Sequence, residues 1–201
     1  MIPAEAFQEI QKELERLPIP VNKYRLQSGE GRSQTWGVVN RRCLPPDYSR
    51  NCWIRPYLYK LLLEFGTQYV DISFNAITVN QNYQAAPHRD KQNIGESYLV
   101  AFGEYTGGEL EMMDTDRKGI YNIRHSPIKA DFSKVLHQVL PFQGKRYSLV
   151  YYNFNTRGVD LPPPSVRNYC GRWNFYRGEE LINRKIGLPH PLKKSKPKLD
   201  A

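Results

Sequence analysis

The feature that most limits what this chain can become is a change of pattern near residue 69. From there to residue 154 short runs are rich in β-branched and aromatic side chains and alternate apolar with polar: YVDISFNAITVNQNY, SYLVAFGEY, GELEMMD, GIYNIR, KVLHQVLPF and RYSLVYYNF. Gly, Pro and Asn turn signals separate them. Alternation of period two marks half-buried strands, and strands recurring about every ten residues predict a β-sandwich or barrel. Helices should precede it. Ala6, Phe7, Ile10, Leu14 and Leu17 have helical spacing over 4–17, which Pro18 ends. YLYKLLLEF over 57–65 suits a second helix, closed by Gly66. Residues 21–50 read as irregular. The expected architecture is α+β, with the N-terminal helices packed on one face of the strand core.

The 201 residues suit one domain. Within it, 1–68 form a helical and basic segment, 69–154 the strand core, and 155–201 a C-terminal extension with a basic tail. There is no internal repeat. No stretch approaches the roughly 18 apolar residues of a membrane span, and the N-terminus lacks the pattern of a signal peptide. A cytoplasmic or nuclear monomer without a membrane partner is expected. Cys43, Cys52 and Cys170 are too scattered for a disulfide framework or a CxxC zinc site.

Twenty-nine Lys and Arg against twenty Asp and Glu give a net charge of +9. That excess suits a polyanionic partner, since each phosphate neutralised releases a counterion. A solvated basic surface with a basic tail (Lys193, Lys194, Lys196, Lys198) fits the same balance.

Of the four histidines, two sit in contexts that belong together. His88 and Asp90 form an H-x-D pair after a strand, and residues two apart on extended backbone point to one side. His137 lies in the strand-like KVLHQVLPF and can supply a third ligand from across a barrel. Two imidazoles and one carboxylate on one octahedral face are the ligand set of non-heme Fe(II) oxygenases. An H-x-D pair alone is weak, because a turn-capping His beside an ion-paired Asp looks the same. The next element adds weight. Arg146 and Ser148 in GKRYSLVYY face one way on a strand, a fork and a hydroxyl suited to a carboxylate. His125 reads as a surface or supporting residue, and His190, between tail prolines, as without function.

The order H-x-D, distal His, then R-x-S resembles the double-stranded β-helix (jelly-roll, cupin-like) superfamily of Fe(II)/2-oxoglutarate oxygenases, over roughly residues 70–154. The resemblance implies a dioxygenase in which His88, Asp90 and His137 hold Fe(II). Arg146 and Ser148 would then anchor 2-oxoglutarate. Ascorbate is a further candidate cofactor.

VNQNYQAAPHRDK followed by YLVAFGEYTGGELEM looks like the TET/JBP branch, which oxidises the methyl group of thymine or 5-methylcytosine in DNA. Lys91 after the H-x-D and the turn Gly103–Leu110 are shared features, and Gly107 and Gly108 should form a tight hairpin between two core strands. The turn also occurs in prolyl and other protein hydroxylases, so prolyl or lysyl side-chain hydroxylation is the alternative. The Asn and Tyr before the H-x-D are similar to AlkB demethylases, but AlkB proteins carry a second Arg where this chain has Tyr152. Arg32, Trp36, Arg41, Arg42, Arg50 and Arg55 mix cations with stacking surface, as a DNA partner requires. Trp36, Arg41 and Arg42 are the candidate substrate contacts there. For Trp36 and Trp53 a core role reads equally well. Asn80 and Asn82, taken as sharing one strand face, are candidates for co-substrate and substrate respectively; turn capping is the other reading.

Overall fold

The computed structural model describes residues 1–21, 29–41, 44–156 and 158. A 3-10 turn (Ala4–Phe7) runs into α1 (Gln8–Arg16), whose Ile10 and Leu14 are buried with Phe7. Burying each such side chain contributes about 1.5–3 kcal/mol. Phe7 is the hub of this contact: its ring stacks on Phe102 at 4.8 Å and lies 5.1 Å from Phe65.

Two strands occupy the region expected to be irregular: β1 (Gly29–Arg41) and β2 (Leu44–Tyr48), paired with each other. Their polarity hid them. Gln34 donates to Asn51 Oδ1, Asn51 donates to the Thr35 carbonyl, and Arg32 donates to the Ile19 carbonyl, so polar side chains serve the N-terminal layer. After the short α2 (Asn51–Ile54), α3 (Pro56–Tyr69) starts on a proline at its first turn and runs past its expected end at Gly66. That glycine answers to packing. A Cβ there would lie 2.6 Å from Phe74 Cζ and 2.9 Å from Tyr151 Cε1.

The remaining strands are β3 (Ala76–Ala85), β4 (Asn93–Gly107), β5 (Leu110–Met112), β6 (Gly119–Tyr121), β7 (Ile128–Ala130), β8 (His137–Val139) and β9 (Phe142–Phe154). They form a six-stranded sheet of order β2-β1-β3-β9-β4-β7 and a three-stranded sheet of order β6-β5-β8, antiparallel throughout. Residues 70–75, expected to open a strand, precede β3, and β7 was not anticipated. Nor do β4 and β5 pair as a hairpin. Gly107 (φ +75°) and Gly108 (φ +72°) instead carry the chain from one sheet to the other.

Alternation divides the core in two. Ile77, Val79, Val100, Phe102, Tyr147, Leu149 and Tyr151 face the helices. Leu99, Ala101, Leu110, Met112 and Phe132 pack between the sheets. On β9 the residues between those facing the helices, Arg146, Ser148, Val150 and Tyr152, line a cavity between the sheets. The architecture is a double-stranded β-helix with helices on one face.

Candidate active site

The loop after β3 and strand β8 meet through a single antiparallel bridge. His88 and His137 exchange both main-chain hydrogen bonds at 3.0 Å, which sets their rings side by side, centroids 4.3 Å apart. The Asp90 amide donates to the Phe132 carbonyl at 2.9 Å, returning the loop toward His88, whose Nε2 lies 3.5 Å from Asp90 Oδ1. Ligand atoms of His88, Asp90 and His137 all fall within 4.8 Å of one another.

Each ring is oriented by its other nitrogen. His88 Nδ1 lies 2.7 Å from the Ala86 carbonyl, and His137 Nδ1 lies 3.0 Å from that of Val135. A nitrogen against a carbonyl must carry the proton, so the lone pair sits on Nε2 in both rings. Burial holds the His137 pKa below its usual value, keeping the imidazole neutral. Asn93 Nδ2 donates to Asp90 Oδ2 at 3.3 Å and fixes the carboxylate. Two imidazoles and one carboxylate, with no thiolate among the described residues of the cluster, fit Fe(II). The described thiol of Cys52 is buried elsewhere, accepts the Gly37 amide, and has its pKa pushed up to about 12 by desolvation.

The same cavity holds an exposed-nowhere cation. Arg146, on β9, is 2% exposed. Its Nε donates to the Gly108 carbonyl at 3.2 Å, and its guanidinium lies 5.5 Å from the Tyr105 ring centre and 5.7 Å from that of Phe142. Only a glycine permits this: a Cβ on residue 108 would lie 2.9 Å from Arg146 Cδ and Nε. Among the described residues Nη2 is buried with no hydrogen-bond partner, and burial lowers the guanidinium pKa. A buried donor without an acceptor is costly, and a carboxylate is its natural complement. Ser148, also buried, accepts from Asn80 Nδ2 at 3.1 Å, while Asn80 Oδ1 is buried without a partner among the described residues. The donor set thus fits a small carboxylate co-substrate beside a metal.

Not every expected contact gathers here. Trp36, taken as a substrate contact, is wholly buried in the core under the helices, so it offers no stacking surface. Trp53 packs against that core too. Arg55 donates to the Leu17 carbonyl and Arg32 to that of Ile19, ties that hold the N-terminal segment to the sheet. Arg42 and the Arg41 side chain lie outside the described residues. Asn82 does not share a face with Asn80. A β-bulge intervenes, and Asn82 Oδ1 accepts the Arg146 amide at 2.9 Å. His125 stacks on Phe7 and stands outside the donor cluster. Tyr152 lines the cavity, its hydroxyl 3.1 Å from Thr78 Oγ1. Sequence reading missed Tyr105, Phe142 and Asn93. Asn93 and Phe142 had local signals, standing three residues past Asp90 and, on β9, four residues before Arg146, whereas Tyr105 meets Arg146 only through β4–β9 pairing.

No protein-family model matches the chain, and no curated protein matches it in sequence. Among solved structures it is similar to NgTET1 in complex with 5mC DNA, with 14% identity, 77% of this chain and 70% of that one covered, and a TM-score of 0.53. It is also similar to an oxidoreductase of the 2OG-Fe(II) oxygenase family from Burkholderia pseudomallei (16% identity, 78% and 83% covered, TM-score 0.48). A Pseudomonas putida prolyl-4-hydroxylase gives 16% identity, 78% and 89% covered, and a TM-score of 0.48. In fold, two antiparallel sheets arranged as a double-stranded β-helix, the chain is similar to NgTET1.

Proposed function

We propose that this protein is an Fe(II)- and 2-oxoglutarate-dependent dioxygenase. The observation that carries the reading is one cavity holding both a His–Asp–His cluster and a buried guanidinium with an unpartnered nitrogen. His88, Asp90 and His137 would hold the metal, and Arg146, Ser148 and Asn80 the 2-oxoglutarate. Iron, 2-oxoglutarate and dioxygen together supply the oxidation of a C–H bond with release of succinate and carbon dioxide. The protein's own part is to keep the His137 imidazole neutral by burial, to steady Asp90 through Asn93, and to fix the co-substrate's far carboxylate.

For the substrate we propose a base in DNA, most specifically the methyl group of 5-methylcytosine or thymine. The net charge of +9 supports it, as does the likeness in fold to a protein solved with 5mC DNA. Lys91, exposed one residue past Asp90, places a cation beside the cavity, where a phosphate backbone would pass, while the exposed Arg89 is ion-paired with Asp114. The test is succinate release with iron and 2-oxoglutarate on a 5-methylcytosine duplex, an unmodified duplex and a proline-rich peptide. Stimulation by the methylated duplex alone is expected; stimulation by the peptide alone would reassign the enzyme to protein hydroxylation. Duplex binding should also weaken steeply with added salt.

A further inference from the structure

Strand β3 carries one residue too many for its neighbour. Glu30 pairs with Gln84 and Arg32 with Gln81, so Asn82 and Tyr83 together oppose the single residue Gly31. Asn82 absorbs the extra residue at φ +49°, in the left-handed region that Asn tolerates and most side chains do not. Gly31 (φ +119°) makes room, since a Cβ there would lie 2.1 Å from the Asn82 carbonyl oxygen. The bulge changes the phase of the strand. Thr78 and Asn80 line the cavity before it, and Tyr83 and Ala85 after it.

The bulge also ends the ladder between β3 and β9, whose last pair is Gln81 with Tyr147. The next amide of β9 belongs to Arg146. Its acceptor is Asn82 Oδ1, at 2.9 Å. A side chain here takes the place of a missing main-chain carbonyl, at the residue whose guanidinium is buried and half-satisfied. We infer that Asn82 is a positioning residue for the Arg146 anchor, fixing the backbone from which the guanidinium reaches its carboxylate. It acts through Arg146 and does not line the cavity itself. The inference rests on Arg146 being the 2-oxoglutarate anchor.

The test is anaerobic calorimetry on the full chain, measuring Mn(II) affinity and then 2-oxoglutarate affinity of the Mn(II)-loaded protein. Asn82→Gly keeps the left-handed backbone accessible and removes only the cap. It should weaken 2-oxoglutarate binding about fivefold, the effect of one ordinary hydrogen bond, with Mn(II) affinity unchanged. Asn82→Asp, which retains the acceptor and the backbone tolerance, should restore most of the loss. Arg146→Ala is the control and should weaken 2-oxoglutarate more than about thirtyfold. Wild-type affinity in Asn82→Gly, with Arg146→Ala still weakened, would overturn the inference and leave the anchor standing. Parallel losses of Mn(II) and 2-oxoglutarate affinity in Asn82→Gly would reduce Asn82 to a structural role and overturn it too. An unaffected Arg146→Ala would remove the anchor, and the inference with it.

Discussion

The main chains of His88 and His137 hold each other, amide to carbonyl in both directions, at 3.0 Å. The approach of the two imidazoles is therefore set by strand pairing and needs no metal. It follows that His88→Ala, Asp90→Ala and His137→Ala should each fold as the parent does. Each should lose Mn(II) or Fe(II) affinity by at least about tenfold. Titration calorimetry checks the affinity and circular dichroism the fold. Retained affinity in all three variants would move the metal site elsewhere.

Arg146 should reveal a conflict between stability and function. A buried guanidinium with an unpartnered nitrogen is unfavourable until an anion arrives. Arg146→Met keeps much of the volume and removes the charge. It should raise the apo unfolding free energy by about 1–2 kcal/mol while abolishing 2-oxoglutarate binding. Arg146→Lys should rescue binding only in part, because a point charge cannot reproduce the fork. Denaturant melts with and without 2-oxoglutarate separate these effects.

His137 gives the apo protein a pH dependence of definite sign. Burial lowers its pKa from the ordinary 6.5, so the unfolded chain takes up this proton before the folded one does. Its contribution to stability is therefore complete above pH 6.5 and is lost as pH falls from there through the folded-state pKa. The apo unfolding free energy should drop over that window, and His137→Asn should flatten the drop. Protonation also competes with the metal, so Mn(II) affinity should fall with acidification.

Much of this fold was legible because its core strands obey simple alternation. RYSLVYYNF sends Tyr147, Leu149 and Tyr151 to the helices and Arg146, Ser148 and Tyr152 to the cavity, as period two requires. The three residues His88, Asp90 and His137 were visible from type and order. What stayed hidden involves contacts distant in sequence. β1 looked irregular because its polar side chains are satisfied by residues of the N-terminal layer. Asn80 and Asn82 looked like one face because a bulge depends on the partner strand, through Gly31. Trp36 looked like a base-stacking residue because nothing local says that helices cover it.

Gly66 tests the same lesson energetically. In an exposed helix, Gly→Ala stabilises by about 1 kcal/mol. Here Phe74 and Tyr151 already fill the space a methyl group would need. Gly66→Ala should therefore destabilise the protein by about 1–3 kcal/mol, read from urea melts. A gain in stability would show that the rings move aside freely.

The central claim is that one cavity binds iron and 2-oxoglutarate and couples them to oxidation. Its most direct measurement is succinate formation by the purified protein in air, supplied with 2-oxoglutarate and a 5-methylcytosine duplex, by mass spectrometry. Succinate should form only when Fe(II) is added, should vanish in His137→Ala, and should fall sharply in Arg146→Ala at limiting 2-oxoglutarate. Succinate formed equally by the wild type and His137→Ala, or no succinate from the iron-loaded wild type with any tested substrate, would contradict the account.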